Sequence, residues 1–257
     1  MKILQKGLKL DLFFDNLERN RQRILFLDYD GTLAPFTAHR QDARPYPGIE
    51  DLLCKIHKNK RNRMMIVSGR TIPDIKRFFP NFQELEIWGC HGFEHLSPEG
   101  KYHNFIEGTL AESLLQKAQE KLHKILDADR IEIKPCSLAV HWRNLHPEKI
   151  LELQSVIQSQ WEPLLESKNL KIQAFDGGWE LLPITRNKGS VVREILAQSP
   201  PNISAAFFGD DLTDEDAFQS IKGKGLAVLV HPEKEKSHAD LRIHPPAELL
   251  DLLARWI

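Results

Sequence analysis

Along the N-terminal part of the chain, and again along the C-terminal part, short apolar runs alternate with stretches whose apolar positions recur every three or four residues. The runs at 24–27, 64–67, 85–88, 205–208 and 226–230 predict strands. Their near-continuous apolar character suits strands covered on both faces. Between them, Ile49, Leu52, Leu53 and Ile56 share one face of a helix expected over 48–59, and a second helix is expected over 73–79. Strands alternating with helices imply βαβ units and a parallel sheet.

The rhythm changes between residues 107 and 186. A helix is expected over 110–126, with Leu114, Leu115, Ala118, Leu122, Ile125 and Leu126 on one face. Two strand-like pieces follow at 131–134 and 137–142, then a helix over 147–165. Two more strands, 170–175 and 179–183, flank Gly177-Gly178, a hairpin signal. The order α-β-β-α-β-β has antiparallel character. The expected fold is therefore α/β: a Rossmann-like parallel-sheet core, residues 1–106 and 187–257, interrupted by an α+β module at 107–186.

Composition narrows the function more by exclusion than by suggestion. Lysine and arginine total 35 against 36 acidic residues, a net charge of -1. That balance gives no reason to expect a nucleic-acid partner. No stretch approaches the ~20 apolar residues that span a bilayer, so no membrane partner is expected. Cys54, Cys90 and Cys136 are odd in number, far apart and outside any CxxC pair, which argues against a zinc site or a disulfide framework and for a reducing, cytoplasmic setting. The first twenty residues are broken by charges and do not read as a signal peptide.

Chemistry enters at the strand ends, where parallel α/β sheets bind their ligands. The first run ends in Leu27-Asp-Tyr-Asp-Gly-Thr-Leu33, the second in Ser68-Gly69-Arg70, and a late one in Gly209-Asp210-Asp211 with Asp214 just beyond. So many carboxylates at one edge repel unless compensated. A hard divalent cation with oxygen ligands is the natural compensation, and Mg²⁺ suits best because it accepts few protein carboxylates, keeps waters and bridges to phosphate. A carboxylate poised there can attack phosphorus to give an aspartyl-phosphate. A second one, two residues on, can protonate the leaving alkoxide and then activate water. Gly31 permits a sharp turn whose amides can cradle phosphate oxygens, Thr32 and Ser68 offer hydroxyls, and Lys188 offers a point charge. Taken singly, Ser68-Gly69-Arg70 reads as a turn or helix cap and Lys188 as a surface lysine; the set together supplies what phosphoryl transfer needs.

These four motifs, Asp28-Tyr-Asp-Gly-Thr-Leu33, Val67-Ser-Gly-Arg70, Lys188-Gly189 and Gly209-Asp-Asp211, resemble those of the haloacid dehalogenase superfamily of phosphatases. With Gly89-Cys-His-Gly-Phe-Glu94, Lys134, Ser137, His141-Trp-Arg143, Gly178-Trp-Glu180 and Gly209-Asp-Asp-Leu-Thr-Asp-Glu-Asp216, the chain is similar to trehalose-6-phosphate phosphatases over residues 24–217. Cys90, Phe93 and Trp142 depart from the residues common there. The resemblance implies an Mg²⁺-dependent hydrolase acting on trehalose 6-phosphate. Asp28 would be nucleophile and metal ligand. Asp30 would be acid/base and bind the metal through its carbonyl, and Asp210 would be a further ligand. Asp211 and Asp214 would orient the metal shell, and Thr32, Ser68, Gly69 and Lys188 would hold phosphate. It implies a mobile cap at 107–186, with Lys134, His141, Arg143 and Glu180, joined by Glu94 of the core, facing the sugar. A separate trehalose-6-phosphate synthase is the one protein partner it suggests. The alternatives are a phosphatase of sucrose 6-phosphate or mannosyl-3-phosphoglycerate, or a non-catalytic phosphosugar-binding module.

Overall fold

The structure, a computed structural model, describes residues 1–37, 40–175, 177–234 and 236–257. Its strands in chain order are β1 (Lys2–Ile3), β2 (Arg23–Leu27), β3 (Asn62–Val67), β4 (Glu86–Gly89), β5 (Glu94–Leu96), β6 (Tyr102–Asn104), β7 (Ile131–Lys134), β8 (Ser137–His141), β9 (Leu170–Phe175), β10 (Gly178–Pro183), β11 (Ser204–Gly209), β12 (Leu226–Val230) and β13 (Leu241–Ile243). The helices are α1 (Leu10–Arg19), α2 (Ile49–Lys58), α3 (Ile72–Phe78), α4 (Leu110–Leu122), α5 (Pro147–Leu165), α6 (Lys188–Ala197), α7 (Glu215–Ile221) and α8 (Ala247–Ala254). The chain forms two compact units, Met1–Tyr102 with Asn187–Ile257, and His103–Arg186.

The larger sheet runs β1-β13-β12-β11-β2-β3-β4-β5-β6. From β13 to β4 every pairing is parallel, while β1 on β13 and β5 on β4 are antiparallel. The sheet is thus mixed at its margins, where short strands carry too little pattern to be read from sequence. All residues of β2, β11 and β12 are buried, as their unbroken apolar runs require. Leu25, Leu27, Ile66, Phe208 and Val228 join one core with residues of α1, α2, α3 and α8. On the other face Phe26 stacks on Phe207 at 6.2 Å, and Phe207 meets Phe218 of α7 edge-on at 5.7 Å.

The second unit holds an antiparallel sheet of order β7-β8-β10-β9. Lys134 pairs with Ser137, and Ala139 with both Glu132 and Glu180. Alternation therefore puts Glu132, Lys134, Ser137, His141 and Glu180 on one face. Leu138, Val140 and Leu181 occupy the other, and α4 packs on β8 and β10. Two local ends differ from the sequence expectation. Helix α4 stops at Leu122, and Ile125 and Leu126 continue in turns. Strand β8 stops at His141, although the Trp142 N–H still donates to the Gly177 carbonyl at 2.8 Å in the same register; the chain then turns through Asn144, φ 65°, so Arg143 lies in that turn and shares no strand face with His141.

Candidate functional site

Strands β2 and β11 are neighbours, with Leu27 beside Phe208. This register places the residues that follow them at one edge, and the Asp28 N–H donates to the Phe208 carbonyl at 2.8 Å. Beyond Asp28 the chain folds over the Tyr29 carbonyl, which accepts from the N–H groups of Thr32, Leu33 and Ala34 at 3.3, 2.9 and 3.0 Å. Gly31 makes this possible with φ +75°, and a Cβ there would fall 1.9 Å from Asp210 Oδ2. Only a glycine lets the Asp210 carboxylate come so close to the turn.

Asp28, Asp210 and Asp214 each offer an oxygen, and the three lie within 4.8 Å of one another. Asp214 is fully buried; its Oδ2 accepts from the N–H groups of Asp210 and Asp211 at 3.0 and 3.2 Å. Lys188 opens α6 behind a capping box, in which Asn187 accepts from the Ser190 N–H at 2.8 Å and Ser190 Oγ accepts from the Asn187 N–H at 3.0 Å. The next residue, Gly189, lets α6 lie against α7, since a Cβ would meet the Asp216 carbonyl at 2.4 Å. Lys188 Nζ is thereby held 2.8 Å from Asp28 Oδ1 and 2.8 Å from Asp214 Oδ1, and its side chain is buried.

One ammonium faces three carboxylates, and the imbalance shows in their acidity. Burial pushes Asp28 up to about 8 against the pull of Lys188, with Asp214 and Asp211 adding to the rise. Asp210 rises to about 10 through burial and then the charge of Asp28 and Asp214. Burial also raises Asp214. For Lys188 burial alone would lower the pKa, but Asp214 and then Asp28 hold it well above the usual lysine range. Such a cluster has the oxygen donors and the surplus negative charge that a hard divalent cation would satisfy. Asp211 uses its carboxylate to cap the turn, accepting from the N–H and hydroxyl of Thr213 at 2.7 Å each.

Next to this cluster in sequence, Thr32 is fully buried and its Oγ1 has no hydrogen-bond partner among the described residues. A buried hydroxyl without a partner costs free energy unless a ligand meets it. Ser68, at the end of β3, is buried and its Oγ accepts from the Arg70 N–H at 3.2 Å, which leaves that hydroxyl its own proton to donate. Gly69 lies against the ring of His91, 2.6 Å from where a Cβ would sit. His91 is held in left-handed backbone, φ 58°, and its N–H donates to the Ser68 carbonyl at 2.8 Å.

Asp30 is not gathered in. Its carboxylate is taken by Arg70, Nε to Oδ2 at 2.7 Å and Nη2 to Oδ1 at 2.5 Å. The sequence motif alone gives Arg70 no role; the folded chain shows the pairing. Glu94 is also engaged: its carboxylate accepts from the Ile72 N–H at 3.2 Å, Cys90 Sγ at 3.2 Å and the Tyr102 hydroxyl at 2.9 Å. In the second unit, buried Glu180 Oε1 accepts from Lys134 Nζ at 2.8 Å and Ser137 Oγ at 2.5 Å. His141 Nε2 lies 2.9 Å from Glu132 Oε2. Arg143 packs on the Gly177 turn, where a Cβ would touch its Cγ at 2.3 Å.

An α/β core with a mainly parallel sheet, carrying a separate antiparallel-sheet insert, is also the fold of the C-terminal domain of Candida albicans trehalose-6-phosphate phosphatase. That structure is similar over 99% of both chains with a TM-score of 0.76 at 22% sequence identity, a likeness of fold. The chain belongs to the trehalose-phosphatase family, whose sequence profile matches residues 26–244. It is 29% identical to a trehalose-phosphatase of Schizosaccharomyces pombe over 254 residues, covering 91% of this chain and 30% of that one. To a trehalose-phosphate phosphatase of Mycolicibacterium paratuberculosis it is 27% identical over 232 residues, covering 85% of this chain and 57% of that one. The chain thus spans between about a third and three fifths of the length of these two curated relatives. No helix among the described residues is long and apolar enough to cross a membrane.

Proposed function

We propose that this protein is an Mg²⁺-dependent phosphatase that hydrolyses trehalose 6-phosphate to trehalose and phosphate through an aspartyl-phosphate. The observation that carries this reading is the convergence of Asp28, Asp210, Asp214 and Lys188 at the end of β2 and β11, with the Thr32 hydroxyl of the same β2 turn buried and unpartnered among the described residues. Asp28, with the Asp30 carbonyl and Asp210, would hold the cation, and Asp211 and Asp214 would order its surroundings. The cation would supply charge neutralisation at the phosphoryl oxygens. Thr32, Ser68, the Gly69 amide and Lys188 hold the phosphoryl group. An Asp28 oxygen then bonds to phosphorus as the ester P–O bond breaks, and the sugar oxygen keeps the electron pair and takes a proton from Asp30. Asp30, now a carboxylate, takes a proton from water as that water attacks phosphorus and frees Asp28.

The relatives' printed names favour the trehalose phosphate as substrate, and the inserted unit supplies groups for a polyol. We assign that unit, with Lys134, His141, Arg143 and Glu180, the role of a cap that grips sugar hydroxyls, and Glu94 a supporting role from the core. A separate synthase would deliver the phosphorylated disaccharide.

The test is phosphate release by the purified protein from trehalose 6-phosphate, sucrose 6-phosphate, mannosyl-3-phosphoglycerate and monosaccharide phosphates, with Mg²⁺ and with chelator. Release is expected from the trehalose ester, abolished by chelator and by Asp28→Asn. Preference for another ester would move the substrate assignment. Tight binding without metal-dependent turnover would replace the enzyme by a phosphosugar-binding module.

A further inference from the structure

The Arg70–Asp30 pair joins a buried guanidinium to a carboxylate that still reaches solvent. The Arg70 side chain is 3% exposed, and a guanidinium so far from water loses much of its hydration. Only the guanidinium is buried, so what the pair fixes is the carboxylate's direction, held from a rigid mount. Both of its ends are fixed. Along the main chain, the Arg70 N–H donates to Ser68 Oγ and its carbonyl accepts from the Cys90 N–H at 2.8 Å. Along the side chain, the guanidinium carbon sits 5.2 Å from the centre of the Tyr29 ring and 5.3 Å from that of Phe78, two rings stacked on each other at 5.2 Å. Tyr29 is pinned in turn by its hydroxyl, which donates to the Ala43 carbonyl at 2.6 Å. From this mount two N–H groups reach both oxygens of Asp30, a geometry that fixes direction as well as distance. Asp30 itself stays 28% exposed and outside the Asp28–Asp210–Asp214 cluster.

We infer that Arg70 is the positioning residue for Asp30: it sets the place from which the second carboxylate of the β2 loop serves the leaving oxygen. The inference rests on the phosphatase reading above. Asp30 is useful only if it stands off the cation cluster, where Asp28 works, yet within reach of the ester oxygen on the solvent side. A short side chain on a turn has several rotamers, and the Arg70 fork selects one. In the transfer step the carboxyl proton passes to the sugar oxygen as the P–O bond breaks, and the resulting carboxylate returns to both guanidinium N–H groups.

Leaving-group dependence separates this from a general loss of structure. A sugar alkoxide needs a proton as it departs, whereas p-nitrophenolate does not. Because Asp30 also serves the hydrolysis of the aspartyl-phosphate, a step common to both esters, the readout is kcat/KM, which covers only the steps up to leaving-group release. Arg70→Ala should lower kcat/KM for the best sugar phosphate by about 10–100-fold, at or below the lower end of what general acid–base groups contribute. It should lower kcat/KM for p-nitrophenyl phosphate by no more than about threefold. Asp30→Asn should show the same split, and the double variant should be no slower than Asp30→Asn alone, since both act through one group. Arg70→Lys keeps charge without the fork and should fall between wild type and Arg70→Ala; it also guards against misfolding of the alanine variant. Equal losses on both substrates, or multiplying losses in the double variant, would overturn the inference while leaving the phosphatase reading intact. A wild-type protein inactive on both esters would remove the phosphatase reading, and this inference with it.

Discussion

Lys188 and its three carboxylates set the behaviour of the site before any substrate arrives. Asp28 and Asp210 titrate at about 8 and about 10 in the folded chain, well above an ordinary aspartate. Folding therefore takes up protons, and the contribution of these groups to stability is full below about pH 4 and is lost as pH rises through 8 and then 10. In chelator, the melting temperature should fall between pH 5 and pH 9, and saturating Mg²⁺ should remove most of that fall, because the cation replaces the protons. For the same reason Mg²⁺ affinity, read by calorimetry, should rise with pH over this interval. Substituting Lys188→Met leaves the buried Asp28 and Asp214 oxygens without their cation. The expected cost is about 3–5 kcal/mol at pH 8 in chelator, smaller at pH 5 where Asp28 is protonated, measured by urea denaturation.

At the scale of elements, α6 and the turns after β2 and β11 make the cluster, and the position of α6 depends on Gly189. Gly189→Ala would drive a methyl into the Asp216 carbonyl, separate α6 from α7 and move Lys188. A loss of about 1–3 kcal/mol is expected, with phosphate release falling more than stability does. The acidic motifs were legible because each closes an apolar strand, and strand ends are where such sheets bind ligands. The direction of Asp30 was not legible, since it depends on a guanidinium 40 residues away in sequence. Nor was the end of β8: the chain turns just after Trp142, with Asn144 in left-handed backbone and the Leu145 N–H on the Trp142 carbonyl, which takes Arg143 off the strand. Helix α1 carries the stripe Leu10, Phe13, Phe14, Leu17, a full helical period that charges between those positions obscure. Glu86 interrupts the apolar run of β4, and is buried because Arg63 meets both its oxygens at 2.9 and 2.8 Å.

At the scale of the whole molecule, the alternation of apolar runs sufficed for the α/β class and for the antiparallel insert, while the sheet margins required long-range pairing that no local pattern encodes. The insert is a self-consistent unit: four strands in antiparallel order, two helices, and buried Leu115, Ala118, Val140, Ile157, Trp161 and Leu181. Residues 103–186 expressed alone should fold, giving mixed helix and strand far-UV dichroism and a cooperative urea transition followed by tryptophan fluorescence. A spectrum of disordered chain would show that the insert depends on the rest of the protein. The larger unit, with its own sheet and its acidic cluster intact, should keep its Mg²⁺ affinity when the residues proposed above to grip the sugar, such as Glu180 or His141, are replaced, while the Michaelis constant for the sugar ester rises by about tenfold or more.

The turn at Gly31 binds the evolutionary fates of two distant positions. Any side chain at 31 would have to be met by retreat at 210, and a residue small enough to retreat is no longer a carboxylate. Drift at either position is thus closed off by the other, so the pair constitutes a case of strict epistasis written into backbone geometry. Libraries that randomise both codons together should return only the parental combination among active clones.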